Sequence, residues 1–171
     1  MIFVSLVIVL HVVVIYRVIF QIKIINLGYS GNNMAQMMDI IEQIKAVHPQ
    51  KLFIMAGTND LAHLNMTQME SRWNNLFDVI SDSVPDTKIF VQSVLPVSHS
   101  REGSHASNTK IAEANNVLKK IAAERNLVYI DLYSRMIHDG VLSDELTIDG
   151  IHLKPAAYDI WANAITQYIN E

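Results

Sequence analysis

The chain has 171 residues, half of them apolar, and its 13 Lys and Arg against 17 Asp and Glu leave a formal net charge of −4. That length suits one domain able to bury a substantial core unaided, and the acidic balance offers no cationic surplus to neutralise phosphates, which argues against nucleic acid as a partner. Without a single cysteine, disulfide scaffolds, thiolate zinc sites and cysteine nucleophiles drop out together.

Residues 1–20, MIFVSLVIVLHVVVIYRVIF, are almost wholly aliphatic, interrupted by Ser5, His11 and Arg17. A stretch of about 20 apolar residues is long enough to cross a bilayer, so a signal anchor giving membrane attachment or export is one reading. The β-branched bias suits buried strand as well. The flanks, with no Lys or Arg before the stretch and no small-residue cleavage site after it, do not match a secretory signal. A third reading is an aberrant start, sequence not native to the domain that follows. The segment is therefore set apart from a domain of residues 21–171, and the compartment stays open between exported, membrane-anchored and cytoplasmic.

From residue 21 strands and helices alternate. Lys23 to Leu27 is a short apolar run stopped by Gly28-Tyr29-Ser30-Gly31, a buried strand entering a turn. Asn32 or Asn33 caps a helix striped by Met34, Met37, Met38, Ile41 and Ile44, which ends before His48-Pro49. Lys51 to Ala56 is a second buried strand, terminated by Gly57-Thr58-Asn59-Asp60. Thr67 with Glu70 forms a capping box for a helix whose inner face is Trp73, Leu76, Phe77 and Ile80. Lys88 to Ser93 is a third strand, followed by a polar loop from about Pro96 to Asn108 and a helix striped by Ile111, Ala114, Leu118 and Ile121. Leu127 to Ile130 is a fourth strand, and the last helix starts near Pro155.

Apolar strands separated by helices, with no hairpin signals, imply an α/β fold with a parallel sheet covered on both faces. Chemistry is then sought in the loops after the strand C-termini. Asp149-Gly150-Ile151-His152 sets a carboxylate three residues from an imidazole, a spacing at which the carboxylate can fix the ring tautomer while the other nitrogen takes a proton from a hydroxyl; on its own, the same spacing also fits a plain surface loop. Asn59 supplies an amide donor for a developing oxyanion, although Asn-Asp after a strand is also ordinary turn chemistry. Gly28 allows a main-chain N–H to approach a bound carbonyl oxygen closely, or merely tolerates positive φ.

These segments, in this order, resemble the SGNH hydrolases, also called GDSL lipases and esterases. Asn26-Leu27-Gly28-Tyr29-Ser30-Gly31 is similar to their second block, Gly57-Thr58-Asn59-Asp60-Leu61 to their third and Asp149-Gly150-Ile151-His152-Leu153 to their last. Val91-Gln92-Ser93-Val94-Leu95-Pro96 resembles members close to platelet-activating-factor acetylhydrolase. The resemblance covers about residues 22–169. It implies a flavodoxin-like three-layer α/β/α sandwich and a carboxylic-ester hydrolase acting by Ser-His-Asp acyl transfer on small acyl esters, whether of lipid or carbohydrate. In it Gly28 N–H and the Asn59 amide are oxyanion-hole donors, His152 is the general base and Asp149 its orienting partner. No metal or organic cofactor is implied.

The family's first block, a Gly-Asp-Ser that brings the nucleophile, is not found. Upstream of Gly28 the only serine is Ser5, flanked by apolar residues, and Ser30 belongs to the second block. The expectation is therefore an esterase impaired by the lack of an identifiable nucleophile, with a catalytically inactive binding domain or a membrane-tethered interaction domain as the alternative. His63 and His138 read as surface residues, the Met-rich segments as core or cleft filler, and His99, Ser100 and His105 as either the mouth of a substrate site or a solvated connection.

Overall fold

In the computed structural model, which describes residues 2–8, 22–104 and 106–170, five parallel strands form one sheet in the order β2-β1-β3-β4-β5. They are β1 (Ile2–Ile8), β2 (Ile22–Asn26), β3 (Lys51–Met55), β4 (Lys88–Gln92) and β5 (Val128–Ile130). The chain steps from β1 to β2 in one direction and from β1's other side through β3, β4 and β5 in the opposite one. That reversal is the switch point at which a doubly wound sheet opens a crevice beyond the strand carboxyl ends. Within the apolar first 20 residues, Ile2–Ile8 is thus strand, paired on both sides. Residues 9–21 lie outside the described residues, and no helix among the described residues is long and apolar enough to cross a membrane.

Period-two alternation sends successive side chains of the central strands to opposite faces. Leu52, Ile54, Ile89 and Val91 join one apolar cluster with α1 (Ile41–Val47), α3 (Met66–Ser83) and α4 (Asn108–Glu124). Phe53, Met55 and Phe90 join the other with α5 (Pro155–Asn170), through Ala157, Tyr158, Trp161 and Ile165. Phe53 and Phe90 are register partners on β3 and β4 and stack with ring centroids 4.5 Å apart. Burying each such ring stabilises the fold by about 1.5–3 kcal/mol. The result is the three-layer sandwich that the alternation of strands and helices leads one to expect.

Two local readings need correction. The capping box of α3 lies two residues earlier than Thr67 and Glu70: Gln68 N–H donates to Asn65 Oδ1 and Asn65 N–H to Gln68 Oε1, both at 2.9 Å. Both pairs have the required three-residue spacing, and asparagine caps at least as well as threonine. The expected absence of hairpins also fails, because β6 (Ile137–His138) and β7 (Val141–Leu142) pair antiparallel. Asp139 at φ 48° and Gly140 at φ 83° make their two-residue turn. This is the Asp-Gly hairpin signal, overlooked because two-residue strands are too short to show alternation.

Elsewhere the bounds agree closely. Asn33 and Gln36 exchange reciprocal side-chain bonds at 3.0 Å, but a 3₁₀ turn, Gln36–Ile40, intervenes before α1. His48 then ends α1 in the left-handed conformation, φ 46°.

Candidate active site

The segment from Thr147 to Leu153 folds back on itself through an antiparallel bridge between those two residues. Ile148 N–H donates to His152 O at 2.8 Å, and Gly150 N–H to Thr147 Oγ1 at 2.9 Å. Inside this turn Asp149 Oδ1 accepts the main-chain N–H groups of Ile151 at 3.1 Å and His152 at 2.9 Å, while Oδ2 lies 2.7 Å from His152 Nδ1. One carboxylate therefore builds the turn and holds the ring. The His152 main-chain N–H, followed by the imidazole and the Ile151 N–H, holds the Asp149 carboxyl well below the usual carboxylate range against the opposing effect of partial burial. An ionised carboxylate on Nδ1 keeps a proton there, so base chemistry falls to Nε2.

A second pair of loops is stapled together after β2 and β3. Gly57 ends β3's run at φ 123°, where a Cβ would lie 2.9 Å from Trp73 Cζ2 and 3.2 Å from Met69 Cε. Only glycine lets the chain turn this close to the Trp73 ring, whose Nε1–H donates to Ala56 O at 3.2 Å. The turn opens α2 (Thr58–Leu61), which carries Asn59. Asn59 Nδ2 donates to Asn32 O at 2.9 Å, and buried Asp60 accepts the Met34 N–H through both carboxylate oxygens, at 3.0 and 3.3 Å. Burial raises the Asp60 carboxyl above its ordinary pKa, opposed first by the Met34 N–H and then by the Arg72 charge. Gly28 N–H points at Asn26 Oδ1, 2.8 Å away.

The structure thus joins His152 to Asp149, and Asn59 to the loop that holds Gly28. Leu27, next to Gly28, and Ile151, next to His152, pack against the same apolar cluster.

The serines fall elsewhere. Ser5 is mid-strand, opposite Ile25 of β2 and Leu52 of β3, whereas Ile8, the last residue of β1, pairs with Met55. At about 3.3 Å per residue, Ser5 lies roughly 10 Å short of the strand's end. Ser30 is exposed in the turn after Tyr29. Ser93 is fully buried, its Oγ accepting Leu132 N–H at 2.9 Å and Tyr133 N–H at 2.8 Å.

His63 and His138 are exposed, and among the described residues no group of three or more His, Cys, Asp or Glu could hold a metal ion. Met34, Met37, Met55 and Met69 are core.

Sequence reasoning missed the role of the connection between β4 and α4. Val97 and Ser98 are buried, and Asn108 holds both main-chain groups of Val97 at 2.9 Å. The chain then makes a 3₁₀ turn, His99–Arg101. Ser98 N–H donates to Gly150 O at 2.9 Å, and Arg101 Nε to Asp149 O at 2.8 Å. His99 and Ser100 are exposed, while Ser98 and Arg101 beside them tie this end of the connection to the Asp149–Gly150 turn; His105 lies outside the described residues. The available signal was Gly150, a glycine between two candidate catalytic residues, where another chain can approach closely.

A profile of the GDSL-like lipase/acylhydrolase family matches residues 15–160. A multidomain esterase of Ruminococcus flavefaciens is 26% identical over 152 residues, which are 83% of this chain and 19% of that protein, so the chain spans about a fifth of its relative. Two solved structures share the fold. A GDSL-like lipase of Bacteroides thetaiotaomicron superposes with a TM-score of 0.75 at 24% identity, covering 86% of this chain and 75% of its own. The lipase/acylhydrolase of Enterococcus faecalis gives 0.80 at 18% identity, covering 99% and 95%.

Proposed function

Because the chain belongs to the GDSL-like lipase/acylhydrolase family, we propose that its site is built to hydrolyse small carboxylic esters, with His152 as general base, Asp149 as its orienting partner, and Gly28 N–H and the Asn59 amide as oxyanion donors. The observation that carries this reading is the 2.7 Å contact between His152 Nδ1 and Asp149 Oδ2 on a turn that Asp149 itself nucleates. The ring is held before substrate arrives, which is what a base needs.

Asn59 has a second N–H beside the one given to Asn32, and the Gly28 N–H becomes available when it leaves Asn26 Oδ1. An oxyanion held by two such donors is stabilised strongly, since each is worth about 3–4 kcal/mol in a dry site. The esterase of Ruminococcus flavefaciens supports ester chemistry for the segment it shares with this chain.

The attacking group is the weak link. Neither Ser5, in mid-strand, nor Ser30, in an exposed turn, stands at the end of β1, where the switch point opens. In a serine hydrolase the loss of the nucleophile alone costs on the order of 10⁶ in turnover, leaving about 10³–10⁴ over water from binding and oxyanion stabilisation. Residual hydrolysis then runs through a water whose proton passes to His152 as its oxygen bonds to the carbonyl carbon. That proton is returned to the departing alkoxide.

The test is hydrolysis of p-nitrophenyl acetate by the intact chain and by His152→Ala. Weak turnover abolished in the variant supports the proposal, and turnover indifferent to the change defeats it. The mid-strand position of Ser5 favours a second reading, a catalytically inactive relative that binds an ester in the retained cleft. That reading requires no measurable turnover and no covalent labelling by a fluorophosphonate, and a label at any serine ends it.

A further inference from the structure

We propose that Arg101, together with Ser98, is a positioning residue for the His152–Asp149 pair, and that the 3₁₀ turn after β4 is a clasp that sets the imidazole's orientation. The inference rests on the reading of His152 as a base and adds the device that aims it.

Gly150, at φ 94°, separates the two residues of the pair. Glycine in that region has the widest conformational choice of any residue, so the joint beside Asp149 would be the loosest point of the turn. Two successive carbonyls remove that freedom: Asp149 O accepts from Arg101 Nε at 2.8 Å and Gly150 O from Ser98 N–H at 2.9 Å. These bonds fix the peptide planes on both sides of Gly150.

The approach is as close as a backbone allows. A Cβ at position 150 would lie 2.5 Å from both Arg101 Cγ and Ser98 Oγ. Ser98 Oγ is in turn braced by Ser100 Oγ at 2.8 Å. The same guanidinium brings a terminal nitrogen to 4.0 Å from Asp149 Oδ2, so one planar group spans the carbonyl and the carboxylate of Asp149. Lysine cannot reproduce that fork, because its ammonium is a point charge without fixed donor directions.

The consequence is read without turnover, from the side-chain ¹⁵N shifts of His152 in the neutral imidazole state, which report the tautomer. In the unmodified chain Asp149 should hold one form, protonated at Nδ1. Arg101→Ala and Arg101→Lys should each shift His152 toward a mixture of tautomers, with the main-chain amides of β3 unmoved. A wild-type tautomer in Arg101→Ala overturns the proposal. Recovery of the wild-type tautomer by lysine overturns it equally, because charge alone would then suffice.

A measurement on the unmodified chain guards against a variant that does not fold: the coupling across the hydrogen bond from Arg101 Nε to the Asp149 carbonyl carbon. Its presence is expected, and its absence removes the clasp. These readouts concern the ring's orientation, so their failure is distinguishable from failure of the ester hydrolysis proposed above.

Discussion

Oδ2 of Asp60 accepts the main-chain N–H of Met34 at 3.0 Å, so the turn carrying Asn59 and the loop after β2 are joined by a buried carboxylate. That group sits at a cost, because burial raises its pKa. A raised carboxyl contributes stability that is whole below the unfolded value of about 3.9 and is lost as pH climbs through the folded value. Asp60→Asn keeps an acceptor for Met34 and does not titrate. The stability of the wild type relative to Asp60→Asn should therefore fall as pH rises above about 3.9 and level off once the buried carboxyl has ionised. Urea denaturation of both chains across that range measures it, and a difference that grows with pH contradicts the account.

Gly57→Ala tests how β3 hands over to Asn59. The new methyl meets the buried Trp73 ring at 2.9 Å, at a φ of 123° that disfavours any side chain. Overpacking and backbone strain together should cost about 2–4 kcal/mol. Asn59 should also be displaced, so the amide resonances of Asn32 and Asn59 should move in the folded variant. A variant of wild-type stability shows that the Trp73 ring yields more easily than its packing implies.

Much of the sheet is legible in the sequence because its signals are short-range. The continuous apolar runs at Lys51–Met55 and Lys88–Gln92, bounded by Gly and Pro, read as buried parallel strands, and the Ile111-Ala114-Leu118-Ile121 stripe as the inner face of a helix. The Asp149-x-x-His152 spacing likewise pointed to a pair that the fold brings into contact. What escaped is long-range: Arg101 reaches across 48 residues to Asp149, and Asp60 across 26 to Met34. No periodicity encodes such contacts, since they follow from where the topology sets two strand ends. The Thr67 capping box was misplaced for a different reason, because Asn65 and Gln68 offered the same chemistry two residues upstream.

Asp149 carries the opposite acid-base signature to Asp60. Its carboxyl is held low by the His152 and Ile151 N–H groups and by the imidazole. A depressed carboxyl contributes stability that is whole above the unfolded value of about 3.9 and is lost as pH falls through the folded one. The stability advantage of wild type over Asp149→Asn should shrink as pH falls below about 4. The ¹³C carboxyl shift of Asp149 gives a direct check. Its titration midpoint should lie below the ordinary range, and a midpoint at or above about 3.9 removes the turn's claim to a charged anchor.

The strongest expectation concerns the end of β1. Ile8 pairs with Met55, one residue before the Ala56-Gly57 turn, and the SGNH hydrolases that the chain resembles carry a Gly-Asp-Ser block after their first strand. Replacing the three residues that follow Ile8 in the sequence with that block, by Val9→Gly, Leu10→Asp and His11→Ser, introduces a serine for the His152–Asp149 pair to address. If the pair addresses that position, a fluorophosphonate should label the new serine, and p-nitrophenyl acetate turnover should rise by at least about 10² toward the roughly 10⁶ that a nucleophile is worth. His152→Ala in the same background should erase both effects. A triple variant that folds, as judged by its circular dichroism, yet takes no label places the imidazole out of reach of β1; its contact with Asp149 would then be a structural brace.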